Sequence, residues 1–335
     1  MNVLVTGAAG YIGSHALRSV IGSGHRAVAL DNLSRGHPSA IPPEVTFVEA
    51  DVRNREPVTR VLRDERIDCV LHFAAFAYVG ESVTEPLLYF ENNTRGTLEL
   101  LAAVRDAGVK RFVFSSTCAT YGEPESMPIR EETPQHPINP YGASKLFSER
   151  MMIDLAACTP DFACAALRYF NVAGSAIDGA IGEDHEPETH LIPVILQAAL
   201  GLREKVVLFG EDYATPDGTC IRDYIHVEDL ASAHVAVMER LSPGFVAYNL
   251  GIGRGHSVKE ILDAAKRVVN RPFRVEVGPR RPGDPPNLYA DASKIERDIG
   301  WRAKHTDIEE VIRSAWRWFE RHPHGYGDRP DKSKP

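Results

Sequence analysis

Short apolar runs at residues 3–5, 27–30, 45–48, 69–73, 111–114 and 162–167 recur through the first half of the chain. They are nearly continuous in apolar character, which is the mark of strands covered on both faces. Between them the spacing changes. Ile12, Ala16 and Val20, with Leu17 and Ile21, repeat at every fourth position and predict a helix with one apolar stripe. The stretch from Thr94 to Val104 reads the same way, with Leu98, Leu101 and Ala102 expected to face inward. Alternation of this kind predicts an α/β protein with a doubly wound parallel sheet.

The second half is less regular. Residues 178–188 are polar and acidic and predict a loop, 191–200 a helix, 206–209 a short strand and 212–219 a Pro/Gly turn region. Residues 246–250 predict a strand that could rejoin the first sheet. Three prolines and a glycine make 280–286 a loop, and the tail from His322 onward is expected to fray. The resulting division is a nucleotide-binding domain over 1–172 with a returning strand near 246–250, a smaller α/β substrate-binding domain over 173–325, and a polar tail over 326–335.

Composition narrows the partners. With 335 residues, 43% hydrophobic and 25% charged, the chain has the make-up of a globular protein. A formal net charge of -8 leaves no basic surplus for nucleic acid or an anionic membrane. The first ten residues lack the features of a secretory signal, and no apolar run approaches the roughly 18 residues needed to span a bilayer. Five scattered cysteines (Cys69, Cys118, Cys158, Cys164, Cys220) fit neither a disulfide framework nor a zinc site. A cytoplasmic location is the expectation. His15, His72, His185 and His226 show no metal-ligand spacing, so no metal is assigned. Trp301, Trp316 and Trp318 are read as packing residues.

GAAGYIG at 7–13 sits between the first strand and the first helix. Gly7 suits the tight turn, Gly10 brings backbone N–H groups and the helix dipole to a pyrophosphate, and Gly13 lets helix and strand pack closely. Asp31 ends the second strand, where its carboxylate can accept hydrogen bonds from both adenosine ribose hydroxyls and repel a 2′-phosphate. The sheet is thus of Rossmann type and its cofactor NAD, with nearby Arg35 as the one residue that favours NADP.

The sharpest signal is Tyr141-Gly-Ala-Ser-Lys145, just after Asn139-Pro140, with proline as a helix-start residue. The helix should run to Thr159-Pro160 and place phenol and ammonium one turn apart on one face. A free tyrosine has a pKa of about 10, too high for a base near neutrality. A neighbouring ammonium and the positive nicotinamide both favour phenolate, so Tyr141 could take a hydroxyl proton as hydride leaves the substrate. Thr117, at the carboxyl end of the fifth strand, is placed to hydrogen-bond a reacting oxygen. Ser115 and Ser116 are expected to satisfy backbone groups, and Cys118 to pack.

Together these residues resemble the UDP-glucose 4-epimerase (UDP-galactose 4-epimerase) branch of the extended short-chain dehydrogenase/reductase family. The resemblance continues through DNLSRG at 31–36, HFAAFAYVGESV at 72–83, ENNTRGT at 91–97, SSTCATYG at 115–122 and RYFNVAGS at 168–175. In the second half it runs through GEDHEPETHLIP at 182–193, LFGEDYATPDGTCIRDYIHV at 208–227 and RRPGD at 280–284. It implies that Tyr11, Ile12, Asp31, Asn32, Asp51, Val52, Phe73, Ala74, Ala75, Asn92, Tyr141, Lys145 and Phe170 line the NAD site. Asp51 would meet the adenine and Lys145 the nicotinamide ribose. Asn171, Leu191, Arg222 and Arg281 would hold the UDP diphosphate, Val207, Leu208 and Phe209 would surround the uracil, and Asp284 would lie near its ribose.

The implied reaction oxidises C4 of the sugar, with Tyr141 and Thr117 at the reacting oxygen, turns the 4-keto sugar over, and reduces it from its other face. Relatives are often homodimers through helices of the first domain. Ala77 stands where some members carry lysine, His190 where some carry asparagine, and Leu288 where a tyrosine can narrow the sugar pocket. The last leaves room for UDP-N-acetylhexosamines. A 4,6-dehydratase needs an acid and a base at Cys118 and Ala119, which supply neither. Epimerases of UDP-glucuronate or UDP-pentoses stay open. So does a non-catalytic NAD-binding regulator, which would have no reason to keep the Tyr–Lys pair.

Overall fold

A computed structural model describes residues 1–281 and 284–328 of the chain. The first lobe runs β1 (Asn2–Thr6), α1 (Tyr11–Gly22), β2 (Arg26–Asp31), β3 (Thr46–Glu49), α2 (Arg55–Asp64), β4 (Cys69–His72), α3 (Val79–Thr84), α4 (Pro86–Tyr89), α5 (Gly96–Ala107), β5 (Arg111–Thr117), α6 (Pro140–Cys158) and β6 (Ala163–Tyr169). The chain then builds β7 (Asn171–Ala173), α7 (Leu191–Ala199), β8 (Val206–Phe209), β9 (Ile221–Arg222) and β10 (Tyr224–His226). It returns to the first lobe through α8 (Val227–Arg240) and β11 (Gly244–Leu250). Finally come β12 (His256–Ser257), α9 (Val258–Val269), β13 (Val275–Gly278), β14 (Asn287–Leu288), α10 (Ser293–Ile299) and α11 (Ile308–Arg321).

Seven parallel strands form one sheet in the order β11-β6-β5-β4-β1-β2-β3. Alternate residues of β1 point to opposite faces, as strand geometry requires. Val3 and Val5 pack with Leu17 and Val20 of α1 and Leu230 of α8. Leu4 packs with Leu62 of α2, Leu100 of α5 and Met152 of α6. This is a doubly wound Rossmann-type sheet, and its order reverses between β1 and β4. Ligand sites in such sheets open at the carboxyl ends of the strands at that reversal.

The smaller lobe has its own core, where Ile195 of α7, Ile261 of α9 and Ile312 and Trp318 of α11 meet. Its strands form a parallel β10–β7 pair, a β12-β9-β14 sheet and a parallel β13–β8 pair. Among the described residues no helix is long and apolar enough to cross a membrane.

Three expectations change. Leu98 is half exposed, whereas Thr97, Leu100, Leu101 and Val104 are buried. Those four make the longer i, i+3, i+4, i+7 set, and that set decides which face of α5 turns inward. The strand at 246–250 returns together with α8, which packs beside α1 on the sheet, so more of the second half joins the first lobe than the strand alone. The tail expected to fray from His322 instead folds back as far as Asp328. Tyr326 stacks on His37 with centroids 4.8 Å apart, and Asp328 binds His37 Nδ1 at 2.7 Å and the Ser39 N–H at 3.0 Å. Residues 282–283 of the predicted 280–286 loop and 329–335 of the tail lie outside the described residues.

Candidate active site

A cleft of about 1150 Å³ opens along the carboxyl ends of β1, β2, β4 and β5 and continues between the lobes. Pockets for one small ligand usually measure about 300–1,000 Å³, so this one has room for two joined ligand sites. At its base, Gly7 adopts φ +69 and comes so near β4 that a Cβ there would lie 2.5 Å from the Ala74 nitrogen. Gly10 is the N-cap of α1 and offers no side-chain cap, which leaves the first amides of the helix, at Tyr11, Ile12 and Gly13, for a ligand. An uncapped helix start of this kind is an anion seat. The residues present therefore fit a dinucleotide.

Asp31 is buried at the end of β2. It accepts from the Ala9 N–H at 3.0 Å and from the Leu33 N–H at 2.8 Å, Leu33 itself standing at φ 55. It therefore shapes the turn as well as facing the cleft, and burial raises its carboxyl despite those bonds. Arg35, the residue that would have favoured a 2′-phosphate, is held elsewhere. Its Nη2 donates to both Glu81 oxygens at 2.7 Å, and its guanidinium lies 4.0 Å from the Phe76 ring centroid. Asp51 accepts from Asn32 at 2.9 Å and pairs with Arg53, which holds its carboxyl down at about 2. Val52, Phe73, Ala74, Ala75, Ala77, Asn92 and Phe170 line the same cleft.

Deeper in, α6 begins at Asn139, whose side chain accepts from Gly142 N–H at 2.8 Å, with Pro140 at the first helical position. That cap sets Tyr141 and Lys145 on the cleft side. Lys145 is 2% exposed and donates 2.7 Å to the Ser115 carbonyl. Burial pushes its ammonium down to about 7, against the opposing charge of Glu149. Tyr141 keeps part of its surface open to the cleft. Burial nevertheless pushes its phenol up to about 12, with the Thr117 hydroxyl beside it pulling the other way. The acidification expected from Lys145 is thus absent in the protein alone, because that lysine is itself desolvated and bonded to β5.

Ser115 and Ser116 also depart from expectation. Their hydroxyls bond side chains, Tyr169 and Glu149 respectively, rather than backbone. Glu149 lies one turn beyond Lys145, fully buried, and forms an ion pair with Arg168 at 2.6 Å. Arg168 reaches on to Tyr121 at 2.9 Å. Neither Glu149 nor Arg168 was singled out by the sequence, since nothing local marks a pair 19 residues apart. Thr117 accepts from Ala119 N–H at 3.2 Å and starts the short turn that brings Cys118 to the cleft wall. Burial pushes the Cys118 thiol up to about 12, so it stays a thiol.

Toward the second lobe the cleft is lined by Asn171, Leu191, Val207, Phe209, Arg222, Arg281, Asp284 and Leu288. Arg222 pairs with Asp284, and Arg281 lies 4.5 Å over the Phe209 ring. Leu208 does not join them. It alternates inward on β8 and is 4% exposed, so it belongs to the lobe's interior. A cluster the sequence did not reveal stands before α7, where Glu183, His185, Glu188 and His190 converge. Burial alone would lower His190, but the charge of Glu183 and the hydrogen bonds that the imidazole donates to both glutamates hold it up at about 10.

Comparison with known proteins places these features in context. Residues 3–251 match the NAD dependent epimerase/dehydratase family. The UDP-glucose 4-epimerase of Lacticaseibacillus casei is 47% identical over 331 residues, covering 98% of this chain and 100% of that protein. A crystal structure of a UDP-glucose 4-epimerase superposes with a TM-score of 0.94 at 46% identity, covering 97% of this chain and 99% of that one. Another, from Stenotrophomonas maltophila, was solved with bound NAD and formylated UDP-arabinopyranose. It gives a TM-score of 0.93 at 42% identity, covering 96% and 99%.

Proposed function

The chain belongs to the NAD-dependent epimerase/dehydratase family, and from that premise we propose that it interconverts UDP-galactose and UDP-glucose by inversion at C4. The observation that carries the reading is one cleft joining a dinucleotide turn, the Tyr141–Lys145 pair and an anion-binding far end. The chemistry a bound NAD supplies is reversible hydride acceptance at C4 of the sugar.

The chain's own residues do the rest. Tyr141 takes the O4 proton, and Thr117 hydrogen-bonds the same oxygen to hold it in line. Lys145 holds the ribose next to the reacting centre and supplies the cation that phenolate needs once bound charge offsets its burial. Asp31 and Asp51 fix the adenosine end, and the amides at the start of α1 take its pyrophosphate.

At the far end, the start of α7, with Arg222, Arg281 and Asn171, grips the UDP diphosphate. Forked guanidinium donors suit its oxygens. Val207 and Phe209 flank the uracil, and Asp284 reaches its ribose. With UDP anchored and the sugar loosely held, the 4-keto sugar turns about its link to the diphosphate. Its opposite face then meets the reacting centre, and Tyr141 returns the proton.

Incubation with UDP-galactose, without added reductant, tests the reading. UDP-glucose should accumulate to equilibrium, and its absence would overturn the proposal. Leu288 and Cys118 leave the sugar end open, which supports turnover of UDP-N-acetylhexosamines as well. Because a similar protein was crystallised with a formylated UDP-pentose, UDP-arabinose belongs in the same assay.

The protein is proposed to act as a homodimer. Leu87 and Leu88 on α4, Leu98 on α5 and Phe147 on α6 are between 40% and 78% exposed, on the helices through which such a dimer would form. All five cysteines are free, which fits a reducing, cytoplasmic setting.

A further inference from the structure

We propose that Glu183, His185, Glu188 and His190 form a closed site for one zinc-class divalent cation on the wall of the cleft. The four donors come from an eight-residue segment that the fold curls ahead of α7. His190 Nδ1 stands 2.8 Å from Glu183 Oε1 and 3.0 Å from Glu188 Oε1, and His185 Nδ1 stands 3.0 Å from Glu183 Oε1 and 3.7 Å from Glu188 Oε2. Tetrahedral zinc with bonds of about 2.0–2.1 Å keeps its ligand atoms about 3.3 Å apart. With Glu188 offering Oε2, the separations of 2.8, 3.0 and 3.7 Å bracket that value, and one donor atom from each residue lies within 4.8 Å of the others. Two imidazoles and two carboxylates are also a donor set that zinc, cobalt and nickel accept, whereas magnesium and calcium prefer oxygen alone.

A further observation separates the cluster from a simple hydrogen-bonded network. Glu188 has a side chain only 2% exposed, yet its Oε2 has no hydrogen-bond partner, while its Oε1 accepts the Thr189 and His190 N–H groups. His185 Nδ1 is buried and engages Glu183 Oε1 at 3.0 Å, while Glu188 Oε2 lies beyond hydrogen-bond reach of it at 3.7 Å. The unpartnered Glu188 Oε2 belongs to a set of donor atoms that all lie within 4.8 Å of one another.

The other cluster of donor residues among those described, His226, Glu228 and His305, has its central histidine already engaged. His226 uses both ring nitrogens, one near the Ser314 hydroxyl at 2.9 Å and one accepting the Glu228 N–H. With four protein ligands the proposed site is structural. His185 packs edge-on against Tyr11 at 6.2 Å and Tyr78 at 5.9 Å, so a metal there would brace α7 against the dinucleotide turn.

The test uses the full-length protein, stripped with chelator and titrated with cobalt chloride. One equivalent should bind and give the strong visible absorption of four-coordinate cobalt, and zinc chloride should displace it. The double variant His185→Ala/His190→Ala, shown folded by circular dichroism, should lose the band. Its cobalt affinity should fall by more than about a hundredfold, since even loss of an outer-shell partner costs about 10- to 100-fold. The variant His305→Ala should bind as the parent does. Absence of four-coordinate absorption in the parent, or equal binding by the double variant, would overturn the site. Neither result depends on epimerase activity.

Discussion

Burial sets the pKa values of both central groups against their proposed work. In the protein alone Tyr141 rises to about 12 and Lys145 falls to about 7. The lysine has a testable consequence. Its folded pKa lies below its unfolded value, so the unfolded chain binds the extra proton between about pH 7 and 10.5. Stability of protein freed of dinucleotide should therefore rise with pH across that window. The variant Lys145→Met should be the more stable protein at pH 7 and lose that advantage by pH 10, as thermal melts would show. A second residue-scale prediction concerns the pair beneath the site. Arg168→Met leaves Glu149 buried without its cation and should destabilise the fold by about 3–5 kcal/mol, measured by denaturant titration. The two cases differ in how far sequence could see. Tyr141 and Lys145 are one helical turn apart and legible as a spacing, whereas Arg168 meets Glu149 only because β6 lies against α6.

Elements were legible where apolar residues repeat without ambiguity. All seven sheet strands, including the returning one, fall where apolar runs predict them, because parallel strands buried on both faces leave an uninterrupted signal. Faces were harder. In α5 three leucines offer two overlapping stripes, and on β8 strict alternation turns Leu208 away from the cleft that its neighbours line. The N-cap of α6 is the element feature nearest to chemistry. Asn139→Ala should cost about 1 kcal/mol of stability. Because it frees the turn that carries Tyr141, it should also lower kcat more than it raises KM. Gly182 makes a sharper demand, since an added Cβ would collide with the Trp318 ring of α11. Gly182→Ala should destabilise by about 1–3 kcal/mol, the range for overpacking a tight core, measurable as a lowered Tm.

Across the whole molecule, the least legible features are those that join distant segments. The four cluster residues carry no recognised ligand spacing, and the fold of the segment before α7 brings them together. Residues 322–328 read as polar tail, yet Asp328 closes over the loop around His37 that borders the dinucleotide end of the cleft. Hydrogen bonds to charged groups contribute about 1.5–3 kcal/mol. If about half of that reaches the cleft wall, on the order of 1.4 kcal/mol, Asp328→Ala should weaken NAD retention by about tenfold, read from cofactor release on dilution. The central claim is that a single phenol exchanges the C4 hydroxyl proton. Its most direct test is Tyr141→Phe, assayed for UDP-glucose formation from UDP-galactose alongside bound NAD and circular dichroism. The expected result is a rate lower by about 10²–10⁴-fold, the usual contribution of a positioned acid–base group, with fold and cofactor content unchanged. A variant that turns over UDP-galactose at the parent's rate would contradict it.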